Sequence, residues 1–153
     1  TFQQAYARAQ SARYIAIVSS DVAVGPAWDR ILIDAIESRY NVPVAVPLTR
    51  TATGPQRTDN VSARYDIRTL AGFDRFALNN KLLANERGSY ANVLAPACAI
   101  FDAAKLRPVV DGDPSAMSFQ GILRRVLTRI GHGWVASDCY VHDDGSATTA
   151  VTA

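Results

Sequence analysis

Long apolar runs, an excess of charge of one sign and cysteine are all scarce in this chain, and each scarcity closes off a class of protein. No stretch is long and apolar enough to span a bilayer, and no secretory signal opens the chain, so a protein without a transmembrane segment is expected. Formal net charge is only +2, and the basic residues are scattered. That leaves neither nucleic acid nor an anionic membrane a footprint. The two cysteines, Cys98 and Cys139, are too few for a structural zinc site. Both stand in apolar, strand-like surroundings where buried reduced thiols are expected, with a disulfide as the alternative. Repeats and low-complexity tracts are missing too. What is present, 48% hydrophobic and 20% charged residues over 153 positions, suits a single domain, 1–153, with a real core. A cytoplasmic location is expected, with peripheral attachment to a membrane left open. Thr1 is not an initiator, which raises the expectation of processing or of excision from something longer.

Periodicity then assigns elements. Phe2, Ala5, Tyr6 and Ala9 share one helical face, and "YIAIV" from Tyr14 reads as a buried strand. After Pro26, Trp28, Ile31, Leu32, Ala35 and Ile36 repeat at helical spacing. Val42 to Val46 reads as a second buried strand, stopped by Pro47. This order predicts that the two strands form a parallel pair with a right-handed crossover. From Pro47 to about Tyr65 the chain has no sustained period and reads as a long loop, the candidate wall of a binding site. A helix follows over "LAGFDRFALNNKLLANERG", then strand pieces near Val93 and from Ala97 to Phe101, and a short helix to Leu106. "VVDGDPSAM" reads as a turn. A surface helix carries Ile122, Leu123, Val126, Leu127 and Ile130 on its apolar stripe, and "WVAS" and "CYVH" read as two further strands. The fold class is α/β, a mixed sheet flanked by helices.

Asp21 stands just beyond the first strand, where α/β sheets place their ligands. A carboxylate there suits a divalent cation that carries phosphate, because hard cations prefer oxygen. Taken alone, an acid after a strand is more often a helix cap. His142, at the end of the last strand, is the natural second ligand or a merely structural residue. Asp143 and Asp144 either enrich that site or end the strand in a turn. Arg50 and Arg57 are either phosphate clasps or solvated loop charges. Trp28 reads as core, and Trp134 as core or as a stacking platform for a sugar.

Together these motifs resemble family 2 glycosyltransferases of the GT-A fold. "YIAIVSSDVAVGPAWDRILIDAIE" is similar to the family's strand with a short acidic signature and its following Pro-Trp helix start. "VAVPLTRTATGPQ" resembles the second strand and the glycine-containing substrate loop, "LAPACAIFDAAKL" the strand before the acceptor region, and "WVASDCYVHDDGSA" the closing strand with its histidine turn. The resemblance runs from about Phe2 to Ala147. It implies a GT-A-like (Rossmann-like) sheet in an incomplete or truncated version, with Asp21 and His142 on Mg2+ or Mn2+ that holds a nucleotide sugar. It also implies a substrate surface of Ser20, Asp21, Thr49, Arg50, Thr53, Gly54, Gln56 and Trp134, and an inverting displacement by the hydroxyl of a carbohydrate or other acceptor.

Two departures accompany it. The family's acidic pair at the start of the last helix, one member of which is the general base, falls here on Phe119 and Gln120. Gln120 can position a hydroxyl but cannot take its proton, a loss of roughly a hundredfold or more. Asp111 or Asp113 is the candidate substitute, or else simply part of an Asp-Gly-Asp-Pro turn. The family's first βαβ portion has no counterpart, so the resemblance implies a piece of a longer chain with a missing N-terminal domain, or else a partner chain that supplies the missing layer, or a reshaped domain. The expectation is therefore a metal-dependent glycosyltransferase domain, with a non-catalytic carbohydrate-binding or scaffold relative as the alternative.

Overall fold

A computed structural model describes residues 2–58, 67–112 and 118–143. The elements run α1 (Phe2–Arg8), β1 (Tyr14–Val18), β2 (Val22–Val24), α2 (Trp28–Glu37), β3 (Val44–Leu48), a 3₁₀ turn at Gly54–Gln56, and α3 (Leu70–Ala84). They continue with β4 (Gly88–Ala91), β5 (Cys98–Asp102), α4 (Ala103–Gly112), α5 (Phe119–Ile130) and β6 (Gly133–Asp143). This is an α/β molecule built on one mixed sheet in the order β1-β5-β3-β6-β2, with β4 also on β6. Because β1 runs into β2 through Ser19–Asp21, the two ends of that order are joined by a short turn and the sheet curls back toward itself.

Alternation along the central strands explains why they are apolar throughout. Val44 and Val46 of β3, Ala99 and Phe101 of β5 and Val135 of β6 meet the layer of α4 and α5, where Leu106, Ile122, Leu123 and Val126 are fully buried or nearly so. Ala45, Cys98, Ile100 and Ala136 face the other way, onto Ile31, Leu32, Ala35 and Ile36 of α2. A strand covered on both sides has no wet face to mark with polar residues. The third cluster is smaller. Phe73 and Phe76 of α3 close over Tyr140, with the Phe76 ring edge-on at 4.8 Å. Leu78 and Leu82, one helical turn apart on α3, and the neighbouring Leu83 are exposed.

Several expectations need correction. β1 and β3 run parallel but are not neighbours: β5 lies between them, antiparallel to both, so the crossover spans an intervening strand. The parallel partner of β3 is β6. Pro47 does not stop β3. It pairs with Ala136 at a shift of register that carries the next pair on to Leu48 and Tyr140, the kind of irregularity where a strand tolerates proline. "WVAS" and "CYVH" are one strand, β6, which changes partners part-way along, from β4 to β2. β4 lies at Gly88–Ala91 rather than at Val93, because only a glycine fits at position 88: an added Cβ would stand 2.2 Å from the Val135 carbonyl oxygen. Finally, α4 continues through Pro108 to Gly112, so "VVDG" is helical and not a turn. The last helix ends as expected, with Gly131 at φ 101°.

Candidate functional site

The turn after β1 is tied down by its neighbours. The Ser19 hydroxyl donates to the Pro96 carbonyl at 2.9 Å, the Ser19 amide donates to Ala97 at 2.9 Å, and the Val22 amide closes the turn on Ser19 at 3.1 Å. Ser20 is exposed and Asp21 half-buried within it. Asp21 is not a helix cap: the residue at the start of α2 is Ala27, in the left-handed region at φ 58°, with no side-chain cap. Instead, Asp21 Oδ2 is buried without a hydrogen-bond partner. The next residue, Val22, lies opposite Asp143, and Ala23 lies opposite His142. That register brings the backbone at Asp21 within roughly 10 Å of the end of β6.

At the end of β6 the side chains divide between two sides. His142 is half-buried on the α3 side, with Nδ1 3.4 Å from the Tyr140 hydroxyl and its ring 6.4 Å from that of Phe73. Asp143 is buried on the loop side, where its Oδ2 accepts a short bond of 2.5 Å from the Thr51 hydroxyl. Burial pushes the Tyr140 phenol up to about 12 against the opposing pull of Arg50, so it stays protonated at neutral pH. Among the described residues no group of three histidine, cysteine or acidic side chains is placed to hold a metal on its own. Any cation here would rely on few protein ligands, with substrate oxygens or water filling the rest.

The loop after β3 is more structural than its composition suggests. Gln56 is buried and its amide is spent on Ala95, accepting from the Ala95 amide at 2.8 Å and donating to its carbonyl at 3.4 Å. Thr49 is fully buried, its backbone bonded to Gln56 and Thr58. Both residues therefore hold the loop in place. Arg50, Thr53 and Gly54 are exposed and available to a ligand.

The remaining candidates lie elsewhere. The Asp111 carboxylate, in the last turn of α4, accepts from the Tyr6 hydroxyl at 3.3 Å. Asp113 and Asp144 fall outside the described residues. Gln120 is exposed near the start of α5, and its neighbour Phe119 packs on Phe101 at 6.5 Å between ring centroids. In the β1–β5 register Phe101 lies opposite Ile15, at the other end of β1 from Asp21. Trp134 is buried at the start of β6, opposite Ala45, and carries the Arg39 guanidinium 3.8 Å above its ring. Thus the structure gathers Asp21, Arg50, Thr51, His142 and Asp143 at one end of the sheet and leaves Asp111, Gln120 and Trp134 apart from them. Both cysteines are free and buried, and burial pushes the Cys98 thiol up to about 12 and Cys139 well above its ordinary value. Neither is poised as a nucleophile.

One feature escaped the sequence reading. A groove of about 170 Å³ runs between α2 and α3 over β6, with the buried acid Asp138 in its lining. Burial raises the Asp138 pKa above the usual aspartate value, against the Glu86 amide and the Arg39 charge, which lower it. The one available signal was an acid in the middle of an otherwise apolar strand, "WVASDCYV".

No family model, curated protein or solved structure matches this chain.

Proposed function

We propose that the Asp21 turn and the end of β6 form a cation-assisted diphosphate site, and that the domain is a GT-A-like glycosyltransferase module that takes a nucleotide sugar there. One observation carries the reading: a carboxylate oxygen, Asp21 Oδ2, is buried with no partner beside the strand end that bears His142 and Asp143. Leaving a buried charged acceptor unmatched costs about 1–3 kcal/mol or more, and a ligand that meets it offsets that cost. A hard cation fits the oxygen. Asp21 would hold Mg2+ or Mn2+, with His142 as the second ligand, and the bound metal supplies charge stabilisation to the departing diphosphate.

The chain's own groups do the rest. Arg50 is exposed on the adjoining loop and provides positive charge for a phosphate. Thr51 fixes Asp143, and Tyr140 fixes the His142 ring. Among the described residues general-base catalysis has no evident owner: Gln120 is an amide and Asp111 is engaged by Tyr6, while Asp113 lies outside them. That absence favours a second reading, a relative that binds its carbohydrate ligand or serves a larger assembly without turning over.

The test is thermal unfolding with Mn2+ and a panel of nucleoside diphosphates. At a hundredfold excess over Kd a native-state ligand adds about 2.7 kcal/mol. For a chain of this size that is a rise of roughly 5–10 °C. Asp21→Ala should remove it. A melting temperature unmoved by metal and nucleotide would end the transferase reading; oligosaccharide binding by that chain would select the carbohydrate-binding relative, and no response to either would leave only the scaffold role.

A further inference from the structure

The groove between α2 and α3 has a charge inventory of its own. Arg30, Arg39 and Lys81 line it against Asp34, Glu86 and Asp138, three cations and three anions. Much of that charge is already fixed in place. Arg30 Nε pairs with Asp34 at 3.0 Å. The Arg39 guanidinium sits 3.8 Å over the Trp134 ring and donates to the Ala35 and Glu86 carbonyls at 3.3 and 2.8 Å, so it ties the end of α2 to the turn after α3. Asp138 Oδ2 accepts from the Glu86 amide at 2.8 Å. Arg39 and Asp138 are thus positioned before any ligand arrives, which lowers the ordering cost of binding.

A balanced inventory selects against a strongly charged ligand, since attraction to one sign is cancelled by repulsion from the other. It suits a neutral molecule whose groups both donate and accept. Hydroxyl groups do both. Carboxylates accept from them, while Lys81 and the Asn85 amide donate to them, and the buried Ile31, Ala35 and Trp134 form the floor beneath. Volume narrows the choice. At about 170 Å³ the groove has room for one small ring.

We infer that this groove is a binding site for a neutral, polyhydroxylated ring of monosaccharide size, separate from the Asp21 site and independent of metal. The experiment is amide-resolved NMR of the whole chain, titrated with glucose, galactose and mannose, and with glucuronate and glucosamine as charged counterparts. Shifts at Asn85, Glu86 and Asp138 that saturate with at least one neutral sugar are expected, with affinity weaker by roughly tenfold for Asn85→Ala or Lys81→Met, each removing one hydrogen-bonding group. Both substitutions lie at the rim of the groove, so the fold should survive them, and Asp21→Ala should leave the titration unchanged. Sugar-induced shifts that avoid the groove, no shift at tens of millimolar with any neutral sugar, or tighter binding of a charged one would overturn the inference. Failure of the Asp21 site would show instead as loss of the metal and nucleotide response, so the two failures are distinguishable.

Discussion

The two ends of β6 handle buried charge in opposite ways. Beside its first half, the buried acid Asp138 has a backbone donor, a nearby guanidinium and a groove of matched charges around it. Beside its last residues, Asp143 takes the Thr51 hydroxyl while Asp21, across the β2 register, keeps a buried oxygen that nothing meets. A polar region whose needs are met is stable alone and recognises ligands by shape and hydrogen bonding. One left short of positive charge gains stability when a cation or donor arrives.

The harshest way to break this contrast is to remove the satisfied end. Trp134 is buried, stacked under Arg39 and met edge-on by Tyr90 at 5.0 Å. Trp134→Ala should cost about 3–5 kcal/mol in urea unfolding, the usual range for truncating a buried aromatic. It should also erase the groove while any response of the Asp21 end to metal persists in the folded fraction. A response lost together with the groove would show that the two ends are one unit.

Less severe is Thr51→Val, which withdraws the hydroxyl donor from Asp143 while keeping the side chain's shape. A bond to a charged acceptor is worth about 1.5–3 kcal/mol, and the urea midpoint should fall accordingly. An unchanged midpoint would mean that Asp143 relies on its other neighbours, and the two ends would then differ less than their geometry suggests.

The opposite sign is expected at Asp21. With no partner to lose, Asp21→Ala should raise the stability of the ligand-free chain by about 1 kcal/mol, while it abolishes the metal response. Function would then be maintained at the expense of stability at that one carboxylate. A destabilised Asp21→Ala protein would show instead that the carboxylate is structural.

How much of this was legible beforehand follows from the range of the forces involved. The α2 stripe of Ile31, Leu32, Ala35 and Ile36, and the α5 stripe of Ile122 to Leu127, are local periodicities, and they bury as their spacing demands. β3 and β5 were visible as short apolar runs. Strand neighbours were not, because the insertion of β5 between β1 and β3 depends on contacts more than fifty residues apart, which no window of sequence contains. Pro47 misled because its effect on a strand depends on the register it meets. At the site, Asp21 and His142 could be picked out by their position after strands. The fixing roles of Gln56 and Thr49 could not, since a buried amide bonded to Ala95 and a solvated one have the same letter. Nor could the groove, whose residues come from three separate elements.

The smallest expected effect is also the one that examines the satisfied end without dismantling it. Burial raises the folded-state pKa of Asp138 above its unfolded value near 3.9, so the native state holds that proton more tightly than the unfolded chain does. The contribution is therefore fully present below about pH 4 and is lost as pH rises through the folded-state value. Asp138→Asn has no such proton to hold, so its stability relative to the parent chain should improve on going from below pH 4 to neutrality. Urea midpoints for the two proteins across that window measure the difference. Two parallel curves would mean that Arg39 and the Glu86 amide cancel the cost of burying the charge.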